Sequence, residues 1–357
     1  MSGVIPLEQG YIVSNKNFLH WVDNLTESFD LIGPRLSRKD QTIFGDIESS
    51  GDLHWGYCST MLAPRKFLYP ARQDLLRFDG ATDRWETLFP PDSGHKIIMG
   101  IHACDMFAIS VLDRTFLGET QDFYYRKLRE EMATVVLNCN QACDKGFCAS
   151  MGTGPFLQLS GGYDLEMTDL GGEYLVEWGS ERGRALIERS SRIKPANAAA
   201  LRKKNDLEER ARKTFTKHLG TLYLPELLMR NLDHPVYRET AQSRCLGCTN
   251  CTMVCPTCYC YNMEDVSSFD LATTVRRRYW DSCQELHFAQ VHGGNFRSSR
   301  EARLRQFVIH KLATWVEQYG CFGCVGCGRC MTWCPTSIDL TEMAQTIQHD
   351  YERGKAR

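Results

Sequence analysis

The C-terminal third of the chain contains the run Cys324-Val-Gly-Cys327-Gly-Arg-Cys330-Met-Thr-Trp-Cys334-Pro335. An earlier run repeats this spacing and reads Cys245-Leu-Gly-Cys248-Thr-Asn-Cys251-Thr-Met-Val-Cys255-Pro256. Both follow the pattern C-x2-C-x2-C-x3-C-P, with which cysteine thiolates hold [4Fe-4S] clusters. Where one protein carries two such clusters, the fourth cysteine of each run ligates the cluster of the other run. The sequence therefore predicts two [4Fe-4S] clusters.

The exchange of the fourth cysteine assigns each thiol of the two runs to one cluster. The first predicted ligand set consists of Cys245, Cys248, Cys251 and Cys334. The second predicted set consists of Cys324, Cys327, Cys330 and Cys255. The alternative metal is zinc, which cysteines usually bind as separated C-x2-4-C pairs that close one tetrahedron. The crowding of four cysteines in each run, ending twice in Cys-Pro, favours iron-sulfur over zinc and over a disulfide framework.

The composition is that of a globular protein of a reducing compartment. Its 357 residues are enough for two or three domains, and its formal net charge of −2 does not indicate nucleic-acid or membrane-surface binding. The N-terminal residues lack a basic segment followed by an apolar one, so we expect no signal peptide. No run of about 18 apolar residues occurs, so we expect no membrane span. The 17 cysteines then indicate metal binding in the cytoplasm.

Two compact apolar runs in the N-terminal half predict buried strands, at Lys96–His102 and Thr134–Cys139. Between them, the segment Phe107–Phe116 has helical periodicity. Strands joined by a helical crossover are usually parallel neighbours. Ligands bind beyond the carboxyl ends of such strands. Because Cys104 and Cys139 stand at these two ends, we expect their side chains to lie close together.

Cys143 and Cys148 follow on the loop beyond the second strand. Together with Cys104 and Cys139 they predict a third [4Fe-4S] cluster at this edge of the sheet. Their spacing is not that of a standard cluster run, so packed or inert thiols and a zinc site are alternatives. A cluster held by only three of these cysteines would present an open iron to a substrate. Cys58 has no partner in the sequence, and we interpret it as a small buried apolar residue.

The order of the predicted elements indicates an α+β protein of two domains. Residues 1–220 are predicted to form a mixed α/β domain, which carries the third site and ends in an antiparallel meander and a charge-rich helix. Residues 221–357 are predicted to form an α-helical ferredoxin-like domain with the two [4Fe-4S] clusters. We expect the segment between the two runs to be mostly helical. Within it, Arg300–Tyr319 has one apolar stripe that only Lys311 interrupts.

Other conspicuous side chains have ordinary interpretations. We predict that the cysteines outside the regular runs are packing thiols, namely Cys258, Cys260, Cys283 and Cys321. The arginines of the C-terminal half suggest a solvated basic face, with docking of an acidic partner as the alternative; they are Arg276, Arg277, Arg278, Arg297, Arg300, Arg303 and Arg305. No nucleophile–base pair, phosphate loop or dinucleotide-binding glycine pattern occurs, which favours a non-catalytic role.

Several segments together resemble one known family. The sequence is similar to the β subunits of cytoplasmic [NiFe] hydrogenases of the sulfhydrogenase type and equally to the iron-sulfur subunit of anaerobic sulfite reductase that belongs to the same family. The similar segments are Gly100–Asp105, Asn138–Cys139, Phe147–Pro155, Cys248–Val266, Trp280–Cys283, Gly293–Arg297 and Phe322–Leu340. The segment Gly-Ile-His-Ala-Cys-Asp departs from the Gly-Val-Arg-Pro-Cys-Asp usual in the family but keeps the cysteine, Cys104.

This resemblance implies an iron-sulfur electron-transfer subunit of an oxidoreductase complex in anaerobic metabolism. Its expected partners are a flavin- or nicotinamide-binding reductase subunit, or a ferredoxin, and a catalytic metal subunit of hydrogenase or sulfite reductase type. Two other hypotheses are open. One is a self-contained iron-sulfur enzyme with an open cluster site at Cys104, Cys139, Cys143 and Cys148. The other is a structural or regulatory module that binds zinc or a sensing cluster.

Overall fold

The computed structural model describes residues 10–89, 96–190 and 192–354. The residues before Gly10, in which we expect no signal peptide, lie outside the described residues. The strands are β1 (Gly10–Ser14), β2 (Asp30–Leu36), β3 (Thr42–Asp46), β4 (Arg72–Asp79), β5 (Arg84–Thr87), β6 (Lys96–His102), β7 (Met132–Leu137), β8 (Leu165–Asp169), β9 (Glu173–Trp178), β10 (Lys194–Pro195), β11 (Tyr261–Ser267), β12 (Thr273–Trp280), β13 (Gln290–Val291) and β14 (Gly294–Asn295).

The α-helices are α1 (Asn15–Thr26), α2 (Ala103–Phe116), α3 (Phe123–Glu131), α4 (Cys148–Met151), α5 (Glu181–Ile187), α6 (Ala198–Lys213), α7 (Leu224–Arg230), α8 (Pro235–Ser243), α9 (Asn250–Met253), α10 (Arg300–Ile309), α11 (Trp315–Tyr319), α12 (Arg329–Thr332) and α13 (Leu340–Glu352). A π-helical turn, His310–Thr314, joins α10 to α11. Within the described ranges, no helix is both long and apolar enough to cross a membrane.

A mixed sheet of eight strands organises the N-terminal half, in the order β10-β1-β9-β8-β7-β6-β2-β3. The central strands β2, β6, β7 and β8 are parallel, and the outer pairs are antiparallel. The predicted parallel pairing of the two apolar runs is confirmed, with Ile98 opposite Thr134 and His102 opposite Leu137. The predicted meander is confirmed as the antiparallel pair β8–β9.

Helices cover both faces of this sheet because successive side chains of a strand point to opposite sides. On β6, Ile97 and Met99 pack in one core with α1, whereas Ile98 and Ile101 pack in another core with α2 and α3. The two cores enclose the sheet, so the central strand β6 is largely apolar on both faces. The strands β6 and β7 end at the same edge of the sheet. Cys104 and Cys139 lie just beyond these two strand ends.

The C-terminal half packs α7, α8, α10 and α13 around one apolar core that includes cysteines of both regular runs. The prediction of a mostly helical segment between the runs is wrong in its first part. That part forms the hairpin β11–β12, and β12 also pairs with β4 from the N-terminal half. The pairing partner is distant in sequence, so local patterns did not indicate it. Strands from both sides of residue 220 share this four-stranded sheet.

The prediction of a solvated basic face is wrong for Arg278 and Arg303, which are buried, whereas Arg276 and Arg277 have partly exposed side chains. Arg276 pairs with Asp265, and Arg277 pairs with Asp74 on the neighbouring strand. Arg278 is buried and pairs with the Asp122 carboxylate. These carboxylates neutralise the arginine run, so its side chains hold the second sheet together.

Candidate metal centres

The first predicted ligand set surrounds a single cavity. Cys245, Cys248, Cys251 and Cys334 all line it, although Cys334 comes from the other run. Most of the remaining wall is apolar and includes Leu304, Phe307, Val308, Ile338, Leu340 and Met343. Four soft thiols facing an apolar cavity are the donor set that suits an iron-sulfur cluster.

The second predicted set surrounds another cavity. Cys324, Cys327, Cys330 and Cys255 line it together with Phe147, Val325 and Lys311. Cys330, Phe307 and Leu340 line both cavities. The two cavities are therefore neighbours, and each contains the fourth cysteine of the other run, Cys334 at the first and Cys255 at the second.

The fourth cysteine of each run is held in the same way. Each stands in a Cys-Pro-Thr segment, and the threonine hydroxyl lies next to the cysteine sulfur. Thr257 Oγ1 is 3.3 Å from Cys255 Sγ, and Thr336 Oγ1 is 3.4 Å from Cys334 Sγ. The Ile338 N–H also donates to Cys334 Sγ at 3.3 Å. Such contacts orient a sulfur ligand, and hydrogen bonds to sulfur help to set the potential of a bound cluster.

The electrostatics of the second cavity favour metal over free thiols. Burial raises the pKa of Cys324 and of Cys327 to about 12, so these thiols are protonated at neutral pH when no metal is bound. A metal binds the thiolate and displaces the proton, which removes the need to bury a free anion. The residues present therefore fit a [4Fe-4S] cluster in each cavity by donor type, number and burial.

The two runs differ in what packs against them. In the second run, Gly326 and Gly328 have φ angles of +64° and +76°, and a Cβ on Gly326 would lie 2.7 Å from Cys148 Cα. A Cβ on Gly328 would clash with the Lys145 carbonyl. The first run has Gly247 and Thr249 at these positions, and a Cβ on Gly247 meets nothing closer than 3.8 Å. The second cavity therefore lies against the N-terminal half.

Of the two cavities, the first lies nearer to the protein surface. Cys248 is exposed, and its neighbour Leu246 has 62% of its surface accessible. The corresponding Val325 of the second run is 2% exposed and lies under Thr153, whose hydroxyl donates to its carbonyl at 2.7 Å. The two cavities thus form a path from an exposed thiol toward the Cys148 loop.

Three of the four cysteines predicted for a third site lie together. The neighbouring Cys148 thiol, together with burial, raises the pKa of Cys104, and Cys139 lies next to Cys104. Burial raises the pKa of Cys139 above its ordinary range. Cys104 also lies near Cys327, so this group follows directly on the second cavity.

The fourth cysteine of this group, Cys143, contacts Cys58. The interpretation of Cys58 as a small buried apolar residue is wrong. Cys58 is exposed rather than buried, and its Cα lies 5.5 Å from that of Cys143 with the two sulfurs in contact. Both line a cavity of about 220 Å³ that also contacts Cys139 and His102. No three His, Cys, Asp or Glu side chains in the described ranges are placed to hold one metal ion.

Three of the four cysteines predicted to be packing thiols occupy the core near the second cavity, and the fourth, Cys321, packs against the cluster that contains Trp315. Cys258 and Cys283 are buried in the same apolar core as the helices, and Cys260 packs against it. Sequence reasoning missed the structural importance of Lys311, which it treated as an interruption of an apolar stripe. It also missed Thr257, and the repeated Cys-Pro-Thr segment was the signal that could have revealed it.

Comparisons with known proteins agree with this geometry. Residues 244–338 match the family described as the 4Fe-4S dicluster domain, which contains both runs. The chain is therefore an iron-sulfur protein of the 4Fe-4S dicluster class with a mixed α/β fold. It is 30% identical over 311 residues to sulfhydrogenase 2 subunit beta of Pyrococcus furiosus, across 85% of this chain and 88% of that protein. The chain belongs to the sulfhydrogenase β-subunit family. No solved structure matches it.

Proposed function

We propose that the chain is the electron-relay subunit of a multisubunit oxidoreductase. The observation that carries the proposal is the pair of adjacent cavities, which are lined by cysteines of both runs, five at the first cavity and four at the second, with Cys330 common to both. Cys245, Cys248, Cys251 and Cys334 would hold one [4Fe-4S] cluster, and Cys324, Cys327, Cys330 and Cys255 would hold the other. Each bound cluster supplies a centre that takes up and releases one electron. Residues 221–357 would then form a ferredoxin-like domain with its own apolar core, joined to residues 1–220 by the pairing of β12 with β4.

A third cluster at Cys104, Cys139, Cys143 and Cys148 extends the relay into the N-terminal half. The support is the contact of Cys104 with Cys148 and its position next to Cys327. Electrons would enter or leave at the exposed Cys248 and pass through the second site to the third. The apolar walls keep water from the clusters, which lowers the local dielectric and slows side reactions.

The partners follow from what the relative's name says. That protein is the β subunit of a sulfhydrogenase, so it belongs to a complex with other subunits. For this chain we infer a reductase subunit that binds flavin and a nicotinamide, or a ferredoxin, at one end. A catalytic subunit of hydrogenase or sulfite reductase type would stand at the other end. We assign the assembly to the cytoplasm because so many metal-binding thiols require a reducing compartment.

One observation favours a second function, a self-contained iron-sulfur enzyme. Cys143 meets Cys58, so three cysteines of the third site would remain as ligands and one iron would be open. The neighbouring cavity of about 220 Å³ has room for a small substrate and is walled by Trp55, Tyr57 and Tyr174. In this alternative the two C-terminal clusters would supply electrons to that site.

Iron and acid-labile sulfide analysis of the purified full-length chain tests both functions. About twelve irons and twelve sulfides per chain are expected for three clusters, and about eight for two. Cys104→Ala should remove about four irons, whereas Cys321→Ser, outside every predicted ligand set, should remove none. The relay is supported if the chain accepts electrons from dithionite and passes them to cytochrome c without reducing or oxidising hydrogen, nicotinamide or sulfite itself. Turnover by the chain alone would contradict the relay function.

A further inference from the structure

Lys311 is a fully buried cation beside the second cavity. Its side chain is 2% exposed and lies in the π-helical turn His310–Thr314. Its Nζ donates to Thr257 Oγ1 at 2.8 Å, and that hydroxyl donates to the Gly323 carbonyl at 2.5 Å. The same hydroxyl lies 3.3 Å from Cys255 Sγ. The Thr257 hydroxyl thus links the ammonium group to Cys255, a predicted cluster ligand.

The ammonium group has no carboxylate partner among the described residues. Four sulfurs face it, those of Cys255, Cys258, Cys260 and Cys324. Cys255 and Cys324 are predicted ligands of the second cluster, and both line the cavity together with Lys311. A buried cation is costly unless an opposite charge lies close to it. The negative charge that balances Lys311 must therefore come from the sulfur side of the cavity.

The helix around Lys311 is adapted to this position. The Trp315 Nε1–H donates to His310 Nε2 at 2.6 Å across the π-helical turn, and Nζ of Lys311 lies 5.4 Å from the Trp315 ring. Trp315 is itself fully buried. A π-helical turn inside an α-helix is rare and often marks a functional site. Here the turn contains Lys311, the one charged residue of an otherwise apolar stripe, and its side chain lines the second cavity.

The first cavity differs in its lining. Within the described residues, no charged side chain lines it. Arg300 and Arg244 approach from outside and donate to the carbonyl oxygens of Cys245 and Thr336. Arg300 is exposed and Arg244 is half-buried, so water screens their charge. Arg303 is buried near Gly247, but it does not line the cavity, and its guanidinium donates to the carbonyl oxygens of Arg297 and Ser298. The two sites therefore differ in their fixed charge although their cysteine patterns are the same.

We propose that Lys311 is the counter-cation of the second cluster and holds its reduction potential above that of the first cluster. The inference rests on the proposed function, because it requires a cluster in the second cavity. Reduction adds one negative charge to a cluster, and a fixed positive charge in a low-dielectric site stabilises the reduced form. Electrons that enter at the first cluster would then collect on the second. Lys311 acts on the cluster through its positive charge and is not one of the cluster ligands.

The test is a redox titration of the full-length chain, followed by electron paramagnetic resonance. The signal of the second cluster is identified by its loss in Cys324→Ala. In Lys311→Met, the ratio of reduced to oxidised second cluster at its wild-type midpoint should fall at least tenfold, which for one electron corresponds to a shift of about 59 mV to lower potential. Lys311→Arg keeps the charge and should retain most of the wild-type potential. Lys203→Met removes an exposed charge in the N-terminal half and should change no potential.

The outcomes separate the two proposals. An unchanged midpoint in Lys311→Met with full iron content would overturn the role of Lys311 and leave the relay intact. If Lys311→Met loses the second cluster while Lys311→Arg keeps it, the requirement for a cation is supported. If both variants lose it or shift it equally, the side chain acts by packing and the inference is wrong. A wild-type chain without iron would instead overturn the proposed function.

Discussion

Arg329 and Asp105 form a bidentate ion pair across the interface between the two halves of the molecule. The guanidinium Nη1 and Nη2 lie 2.5 and 2.7 Å from the two carboxylate oxygens, and both side chains are 1% exposed. Nε of Arg329 donates to the Thr60 carbonyl at 2.7 Å. Because Arg329 stands between Cys327 and Cys330, and Asp105 follows Cys104, this pair fixes the second cavity relative to the predicted third site.

Breaking this pair should loosen the contact between the two halves. Asp105→Asn leaves a buried guanidinium without its counter-charge, so we expect a loss of about 3–5 kcal/mol in the free energy of unfolding. Urea unfolding followed by circular dichroism, on samples of equal iron content, measures the loss. Glu226→Gln breaks the exposed pair with Arg230 and should cost under about 1 kcal/mol. A similar small cost for Asp105→Asn would contradict the structural role of the pair.

If the ligands are crossed, replacing the fourth cysteine of one run should remove the cluster of the other run. Cys334→Ser changes the second run but should remove the first cluster, so its spectrum should match that of Cys245→Ser. Cys255→Ser should likewise match Cys324→Ser. Each variant should lose about four irons, which iron analysis and electron paramagnetic resonance measure. If Cys334→Ser matched Cys324→Ser instead, each run would hold its own cluster and the exchange would be refuted.

The contact of Cys58 with Cys143 predicts competition between metal and disulfide. The Cα separation of 5.5 Å permits a disulfide. If Cys143 is a cluster ligand, the iron-loaded chain should contain no Cys58–Cys143 disulfide, and the iron-free chain should form it in air. Alkylation followed by peptide mass spectrometry measures both states, with Cys58→Ser as the control that cannot form it. Equal disulfide content in the two samples would remove Cys143 from the ligand set and favour an open iron.

His310 should contribute a pH dependence of stability. Burial, with Lys311 and Arg297 nearby, lowers the pKa of His310 to about 3, and an unfolded histidine has a pKa of about 6.5. Below about pH 6.5 the unfolded chain therefore binds a proton that the folded chain does not, and stability falls with decreasing pH. Between pH 7 and pH 5, His310→Gln should lose about 1–2 kcal/mol less than the wild type in urea unfolding.

The matched control is His292→Gln, because His292 is exposed. Its pH dependence should equal that of the wild type. Glutamine at position 310 can still accept the Trp315 indole hydrogen bond through its amide oxygen, so the comparison isolates the titration. An identical pH dependence in His310→Gln and the wild type would show that the imidazole titrates freely in the folded chain.

Local patterns predicted much of the fold. The strand at Lys96–His102 was predicted with the bounds that the structure has, because a run of buried apolar residues with turn signals around it is a local feature. The hairpin β11–β12 was missed because its stability depends on pairing with β4, which lies almost 200 residues earlier. Cys58 was misread for the same reason, since its neighbour Cys143 comes from another part of the chain.

By itself, the sequence determined that two cysteine runs of the same spacing exist, and it predicts two crossed sets of four thiols from the spacing within each run and the Cys-Pro step. Only the tertiary structure decided what surrounds each set. It placed Lys311 and the Cys148 loop against the second cavity and exposed Cys248 at the first. Ligand spacing is a property of neighbouring residues, whereas the charge, burial and order of the sites depend on contacts between segments far apart in the chain.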